Sequence, residues 1–175
     1  MNYNPENHKR RSIRLEGYDY AQEGLYFVTI LCFQREHLFG RIEERKIVLN
    51  DGGRVASSCW EEIPKHFPQI SLHEYVIMPN HLHGILEIRP SEKSKGETSF
   101  AQRANTFSSP SQTLGSIIRG FKIGVTKWFR NHTDIHNVWH RNYHEHIIRD
   151  ISDYHRISEY IRTNPEKWEE DCYWG

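Results

Sequence analysis

Cysteine is scarce in this chain of 175 residues, and Cys32, Cys59 and Cys172 are odd in number and widely spaced. They make neither a disulfide framework nor a Cys-x-x-Cys metal site, which points to a reducing, cytoplasmic compartment. Long apolar runs are missing as well. The longest, Tyr26 to Phe33, is broken only by Thr29 and is far too short to cross a bilayer, so no membrane partner is expected. Residues Met1 to Arg14 contain no apolar core and do not read as a secretion signal. Net charge is also absent, because 23 Lys and Arg balance 23 Asp and Glu. That balance argues against indiscriminate binding to nucleic acid. No segment repeats at a fixed period.

What is present is a globular composition, 37% hydrophobic and 26% charged, on a chain long enough to build its own core. We expect a basic arm over residues 1–20 and one folded unit over 21–175. The charge is unevenly spread. Lys9, Arg10, Arg11 and Arg14 lie in the arm, and Arg119, Lys122, Lys127, Arg130, Arg141 and Arg149 fall between Leu114 and Asp150. Acid collects at Glu166, Glu169, Glu170 and Asp171. A local basic surface suits a phosphate backbone whatever the total charge, and a solvated surface accounts for the same pattern.

Taken in order, Tyr26 to Phe33 is rich in β-branched and aromatic residues and reads as a central strand. Leu38–Ile42 and Lys46–Leu49 read as a small hairpin. Asn50 or Asp51 caps a helix expected to run to about Lys65, with Val55, Cys59 and Ile63 on one face. Strands follow over Ile70–Met78 and His81–Ile88, joined by a turn at Pro79-Asn80. Residues 90–113 hold six serines, two prolines and no hydrophobic period, which predicts a mobile linker within the unit. Leu114, Ile117, Ile118, Phe121, Val125, Trp128 and Phe129 form one stripe of a helix ending near Asn131. Val138–Arg149 reads as another strand. Asp150 or Ser152 caps a last helix ending near Asn164-Pro165. Without the hairpin and last helix the order is βαββαβ, an α+β, ferredoxin-like sandwich with an antiparallel sheet.

The chemistry concentrates at His81-Leu82-His83. Residues at i and i+2 of a strand share a face, so the two imidazoles stand together while Leu82 points into the core. Such a pair suits a divalent metal, although paired histidines also occur on surfaces without one. A second triplet, His144-Glu145-His146, lies on the last predicted strand. Four imidazoles would make a closed, zinc-like site; two with oxygen donors leave open positions and fit a hard ion that handles phosphate. On the last helix, Tyr154, Ile157 and Ile161 define a buried stripe, and Tyr160 and Asn164 share one flank of it. Tyr160 there is a half-buried aromatic or a phenol nucleophile, and Asn164 offers an amide oxygen.

Three ordered blocks carry a resemblance. They are Pro79-Asn80-His81-Leu82-His83, then Trp139 to Arg149, then Asp153-Tyr154 with Tyr160-Ile161 and Asn164-Pro165. Together with Arg10 to Leu15, Tyr18-Asp19-Tyr20 and Gly24 to Phe27, they resemble the single-tyrosine transposases of the HUH superfamily, in particular the REP-associated branch of the IS200-like family. The resemblance covers nearly the whole chain apart from the serine-rich linker. It implies a ferredoxin-like fold and nicking and rejoining of single-stranded DNA beside a hairpin. The implied intermediate is a 5′-phosphotyrosine on Tyr160. It makes His81, His83 and Asn164 ligands of Mg²⁺ or Mn²⁺, and it matches His146 to a histidine that supports the site from the strand before the last helix. His144 departs from the aromatic often found in that branch, and its role stays open. Arg10, Arg11, Arg14, Arg119, Lys122 and Arg141 are the candidates for DNA contact, and a homodimer is one possible assembly. A non-catalytic hairpin-binding relative and an unrelated His-rich metalloenzyme are the competing readings.

Overall fold

The computed structural model describes residues 22–90 and 113–170. The basic arm with Arg10, Arg11 and Arg14, and nearly all of the 90–113 linker, lie outside the described residues. The main sheet contains β1 (Gly24–Leu31), β4 (Ile70–Ile77), β5 (His81–Ile88) and β6 (His144–Ile148), in the order β4-β5-β1-β6. Every pairing is antiparallel. With α1 (Asp51–Glu61) and α3 (Leu114–His132), these strands make the expected βαββαβ sandwich. The added hairpin is β2 (Gly40–Glu43) with β3 (Lys46–Leu49), and α4 (Ile151–Thr163) is the final α-helix.

The two faces of the sheet are covered differently. On one face Tyr26, Val28, Ile30, Leu82 and Leu86 pack with Trp60 of α1 and with Ile117, Phe121 and Val125 of α3. On the other, Ile85, Phe27 and Val76 pack with Ile157 and Ile161 of α4. Burial on both faces explains why β5 is buried at all but one of its positions. Side-chain caps start each long helix. Asn50 Oδ1 accepts from Gly53 N at 2.9 Å, and Asp150 Oδ1 accepts from Asp153 N at 2.8 Å.

Two predicted boundaries are corrected. The first helix does not run unbroken to Lys65; it ends at Glu61, and a separate turn, α2, spans Ile63–His66. Pro64 near the start of that turn has no N–H to continue the α1 hydrogen-bond ladder. The last strand begins at His144 rather than Val138. Trp139 makes only an isolated bridge to Cys32. The five steps from Trp139 to His144 then face three steps of β1, from Cys32 to Thr29. Residues 140–143 therefore bow out of the ladder.

Gly84 fixes how closely α1 approaches β5. A Cβ at this position would overlap the indole of the fully buried Trp60. Gly84→Ala should lower the unfolding free energy by about 1–3 kcal/mol, the usual range for overpacking a filled core. Urea unfolding followed by tryptophan fluorescence measures it; an unchanged midpoint would show that Trp60 can move aside.

Candidate active site

In an antiparallel sheet directly opposed residues share a face. Thr29 of β1 lies opposite His83 of β5 on one side and opposite His144 of β6 on the other. Leu31 lies opposite His81. The paired imidazoles thus occupy the α4 side of the sheet, with ring centroids 4.4 Å apart. His81 and His83 are 0% and 1% exposed, so their polar atoms need partners inside the protein. His81 Nδ1 lies 2.8 Å from Asn80 Oδ1, and His83 Nδ1 lies 2.8 Å from Thr29 Oγ1. Asn80 sits in the tight β4–β5 turn, closed by Met78 N donating to His81 O at 2.8 Å.

The last helix delivers Tyr160 to this pair. Its Oη is 3.1 Å from His83 Nε2, and its ring meets Phe27 edge-on at 6.2 Å. The phenol is 38% exposed, so a substrate can approach it from solvent. One helical turn later comes the buried Asn164, and four residues beyond that the buried Trp168 stacks on His81 at 5.9 Å. Tyr160, Asn164 and Trp168 therefore form one flank whose two ends rest on His83 and His81. The second contact lies past Pro165, in a 3-10 segment over Asn164–Glu170. Trp168 lies past the helix end expected at Asn164-Pro165, and its i+8 spacing from Tyr160 is the signal in the sequence that places it on this flank.

Tyr154, the other tyrosine of this helix, is used differently. A register shift between Leu72 and Tyr75 turns consecutive residues His73 and Glu74 toward it. Its hydroxyl donates to Glu74 Oε2 at 3.0 Å and lies 3.1 Å from His73 Nδ1. Burial, together with donation to the Glu74 carboxylate, raises the Tyr154 phenol above the ordinary tyrosine pKa. Tyr154 anchors the helix. An open groove of about 540 Å³, lined by His73, Glu74, Tyr75, Tyr154, Ile161 and Arg162, runs alongside.

The remaining predicted residues separate. His144 and His146 are exposed on edge strand β6, and β1 stands between them and the buried pair. Two strand spacings put them about 9–10 Å away. Among the described residues no group of three or more His, Cys, Asp and Glu side chains is arranged to hold an ion. The closed four-histidine site is therefore not formed. His146 Nε2 instead lies 2.7 Å from Asp153 Oδ2 and ties β6 to the start of α4. That hydrogen bond, with help from Arg156, holds the Asp153 carboxyl below its ordinary pKa. Arg119 and Arg141 are exposed. Arg119 belongs to α3, which covers the sheet face opposite the histidine pair.

Lys122 also lies on α3, but its ammonium donates to the carbonyls of His140 at 3.0 Å and Asn142 at 3.1 Å. Its own carbonyl accepts from Trp139 Nε1 at 3.1 Å. These three bonds hold the bowed segment 140–143. What the donor set can do chemically follows from the pair alone. Two buried imidazoles with Nδ1 engaged direct Nε2 away from those partners, that of His83 toward Tyr160, and the Asn164 amide oxygen is a hard donor type. The residues fit a divalent ion with open positions.

No protein-family model matches the chain. An uncharacterized protein of Haemophilus influenzae is 52% identical over 171 residues, covering 97% of this chain and 95% of the relative. A second Haemophilus influenzae protein, named "Putative REP-associated tyrosine transposase", is 26% identical over 149 residues, covering 85% of this chain and 74% of that protein. A solved structure of the REP-associated tyrosine transposase bound to a REP hairpin shares the fold, with a TM-score of 0.59 at 21% identity. It is matched over 89% of this chain and 74% of that one. The chain shares the fold of that tyrosine transposase. From the blocks that carried the resemblance, His81 and His83 of β5, His146 of β6 and Tyr160 of α4 share the α4 face of the sheet.

Burial lowers the Lys122 ammonium from 10.5 to about 8. Between those values the unfolded chain holds a proton that the folded chain has released, so folding is favoured as pH rises through this window. Relative to Lys122→Met, the wild-type protein should gain unfolding free energy from about pH 8 to 10.5. Denaturant titrations at stepped pH measure the difference; parallel profiles would mean that Lys122 titrates as an exposed lysine.

Proposed function

We propose that this protein is a tyrosine transposase of the IS200-like family that nicks and rejoins single-stranded DNA beside a hairpin, through a covalent 5′-phosphotyrosine on Tyr160. The observation that carries the reading is the 3.1 Å contact between Tyr160 Oη and His83 Nε2 within one chain. A nucleophile must reach its electrophile at near-contact range, and this contact sets the phenol beside the proposed ligand pair. His81, His83 and Asn164 would hold Mg²⁺ or Mn²⁺. A divalent ion there supplies Lewis acidity, polarising the scissile phosphate and favouring the phenolate over the phenol.

The chain's own groups do the rest. Ile157 and Ile161, 3% and 1% exposed, clamp α4 to the sheet and fix the height of Tyr160. Phe27 limits the swing of the phenol ring. In the reaction the bond from Tyr160 Oη to phosphorus forms and the bond from phosphorus to the strand's 3′ oxygen breaks. The departing oxygen takes up a proton and leaves as a 3′-hydroxyl. Attack by a 3′-hydroxyl on the phosphotyrosine reverses these bonds and restores the phenol, so joining needs no nucleotide cofactor.

The fold relative solved with a REP hairpin supports hairpin DNA as the partner. Single strands are held by basic side chains and aromatic faces. Arg10, Arg11, Arg14 and Arg141 are the proposed phosphate contacts, with Arg119 serving only DNA that reaches round to the α3 face. Both halves of the catalytic contact come from one chain, so the proposed site is complete without a homodimer.

A pool of 3′-end-labelled, hairpin-bearing oligonucleotides, incubated with the protein and Mn²⁺ or Mg²⁺, tests the reading. The 5′-phosphotyrosine keeps the 3′ label on the protein after denaturation. We expect a labelled adduct that falls by at least about 100-fold in Tyr160→Phe and in His81→Ala, the scale of losing a nucleophile or its activator. An adduct that survives Tyr160→Phe overturns the choice of nucleophile. DNA retention without any adduct favours the non-catalytic relative.

A further inference from the structure

Thr29 is the one polar residue in the apolar run from Tyr26 to Phe33, and it is 2% exposed on a strand with neighbours on both sides. A buried hydroxyl in such a strand costs free energy unless it is hydrogen-bonded. Its partner is His83 Nδ1, at 2.8 Å. We propose that Thr29 is a positioning residue for the tyrosine chemistry, and that its hydroxyl accepts from His83 Nδ1–H and so supports the tautomer whose Nε2 lone pair faces Tyr160. The inference rests on the transposase reading for the shared ligand that fixes the tautomer and for its consequence, while the Thr29–His83 contact stands by itself.

Two self-consistent arrangements exist for the chain Thr29, His83, Tyr160. In one, His83 Nδ1–H donates to Thr29 Oγ1 and Tyr160 O–H donates to His83 Nε2. In the other, every donor is reversed and Nε2 carries the proton. The neighbouring ring decides between them. His81 Nδ1 faces Asn80 Oδ1, an acceptor, so His81 is protonated at Nδ1 and keeps its lone pair at Nε2. A pair that shares a ligand needs the same tautomer on both rings. His83 therefore donates from Nδ1 to Thr29, and Thr29 does for His83 what Asn80 does for His81. Stacking of Phe27 on His83, with centroids 5.4 Å apart, holds the plane of that ring. Thr29 supplies what stacking cannot, a buried acceptor for Nδ1–H. Partners of this kind typically change metal affinity about 10–100-fold when removed.

Thr29→Val keeps the shape and removes the hydroxyl, while Thr29→Ser keeps the hydroxyl. Long-range proton–nitrogen NMR of histidine-labelled protein, with no metal or DNA added, reads the His83 tautomer directly. Wild type and Thr29→Ser should carry the proton on Nδ1, and Thr29→Val should shift it to Nε2. Mn²⁺ binding, followed through the resonance of the free aquo ion, should weaken about 10–100-fold in Thr29→Val and recover in Thr29→Ser. A merely structural threonine would change the melting temperature and leave the tautomer alone. An unchanged tautomer and unchanged Mn²⁺ affinity in Thr29→Val overturn the proposal. A wild-type protein that binds no Mn²⁺ overturns the metal reading instead, and the NMR comparison still decides the role of Thr29. If the valine variant does not fold, Thr29→Ala against Thr29→Ser gives the same comparison.

Discussion

Two imidazoles buried against a helix impose the constraint on which the α4 side of this molecule depends. Neither ring reaches bulk solvent, so each must spend a nitrogen on a protein partner, Asn80 for His81 and Thr29 for His83. Those bonds demand a tight turn at Pro79-Asn80 and a polar residue at the centre of β1. They also demand a helix that covers the rings while leaving room for chemistry. Tyr160 and Trp168 meet that demand at the two ends of one flank. The opposite face, built from α1 and α3, keeps β5 rigid through contacts such as Trp60 over Gly84.

Placement of α4 is itself over-determined. Apolar contacts from Ile157 and Ile161 supply the non-directional part. Direction comes from polar ties at its edges, Tyr154 to His73 and Glu74 on β4, and Asp153 to His146 on β6. A helix anchored on both flanks can move its hydroxyl by little more than side-chain rotation. That is the arrangement a nucleophile needs, since small misplacements cost large factors in rate. The shared fold of the tyrosine transposase solved with a REP hairpin fits the proposed role for this geometry, and the contact between Tyr160 and His83 gives that role a location.

Much of this was legible in the residues. The i, i+2 rule placed His81 and His83 on one face, and the four-residue step joined Tyr160 to Asn164, because both rest on local periodicity. Thr29 was visible as the lone polar residue of an apolar run, but its partner was not, since strand register is a long-range property. The bulge that turns His73 and Glu74 to one side breaks the period on which strand reading depends. Residues 140–143 were read as strand because their composition suits one; the carbonyl bonds to Lys122 that draw them out come from a helix twenty residues earlier. For the same reason Lys122 looked like a phosphate contact, and Arg119 gave no sign that α3 lies on the far face. His146 matched a supporting histidine, yet it supports the helix rather than the ligand pair.

Tyr160, and not the anchored Tyr154, is the residue proposed to be joined to DNA. Peptide mass mapping after digestion of a cross-link-free, DNA-linked sample tests it most directly. The account predicts a nucleotide phosphate on the peptide containing Tyr160, attached at the phenol oxygen, with Tyr154 unmodified. A nucleotide carried by Tyr154, or by any residue outside the flank that faces His81 and His83, would contradict it.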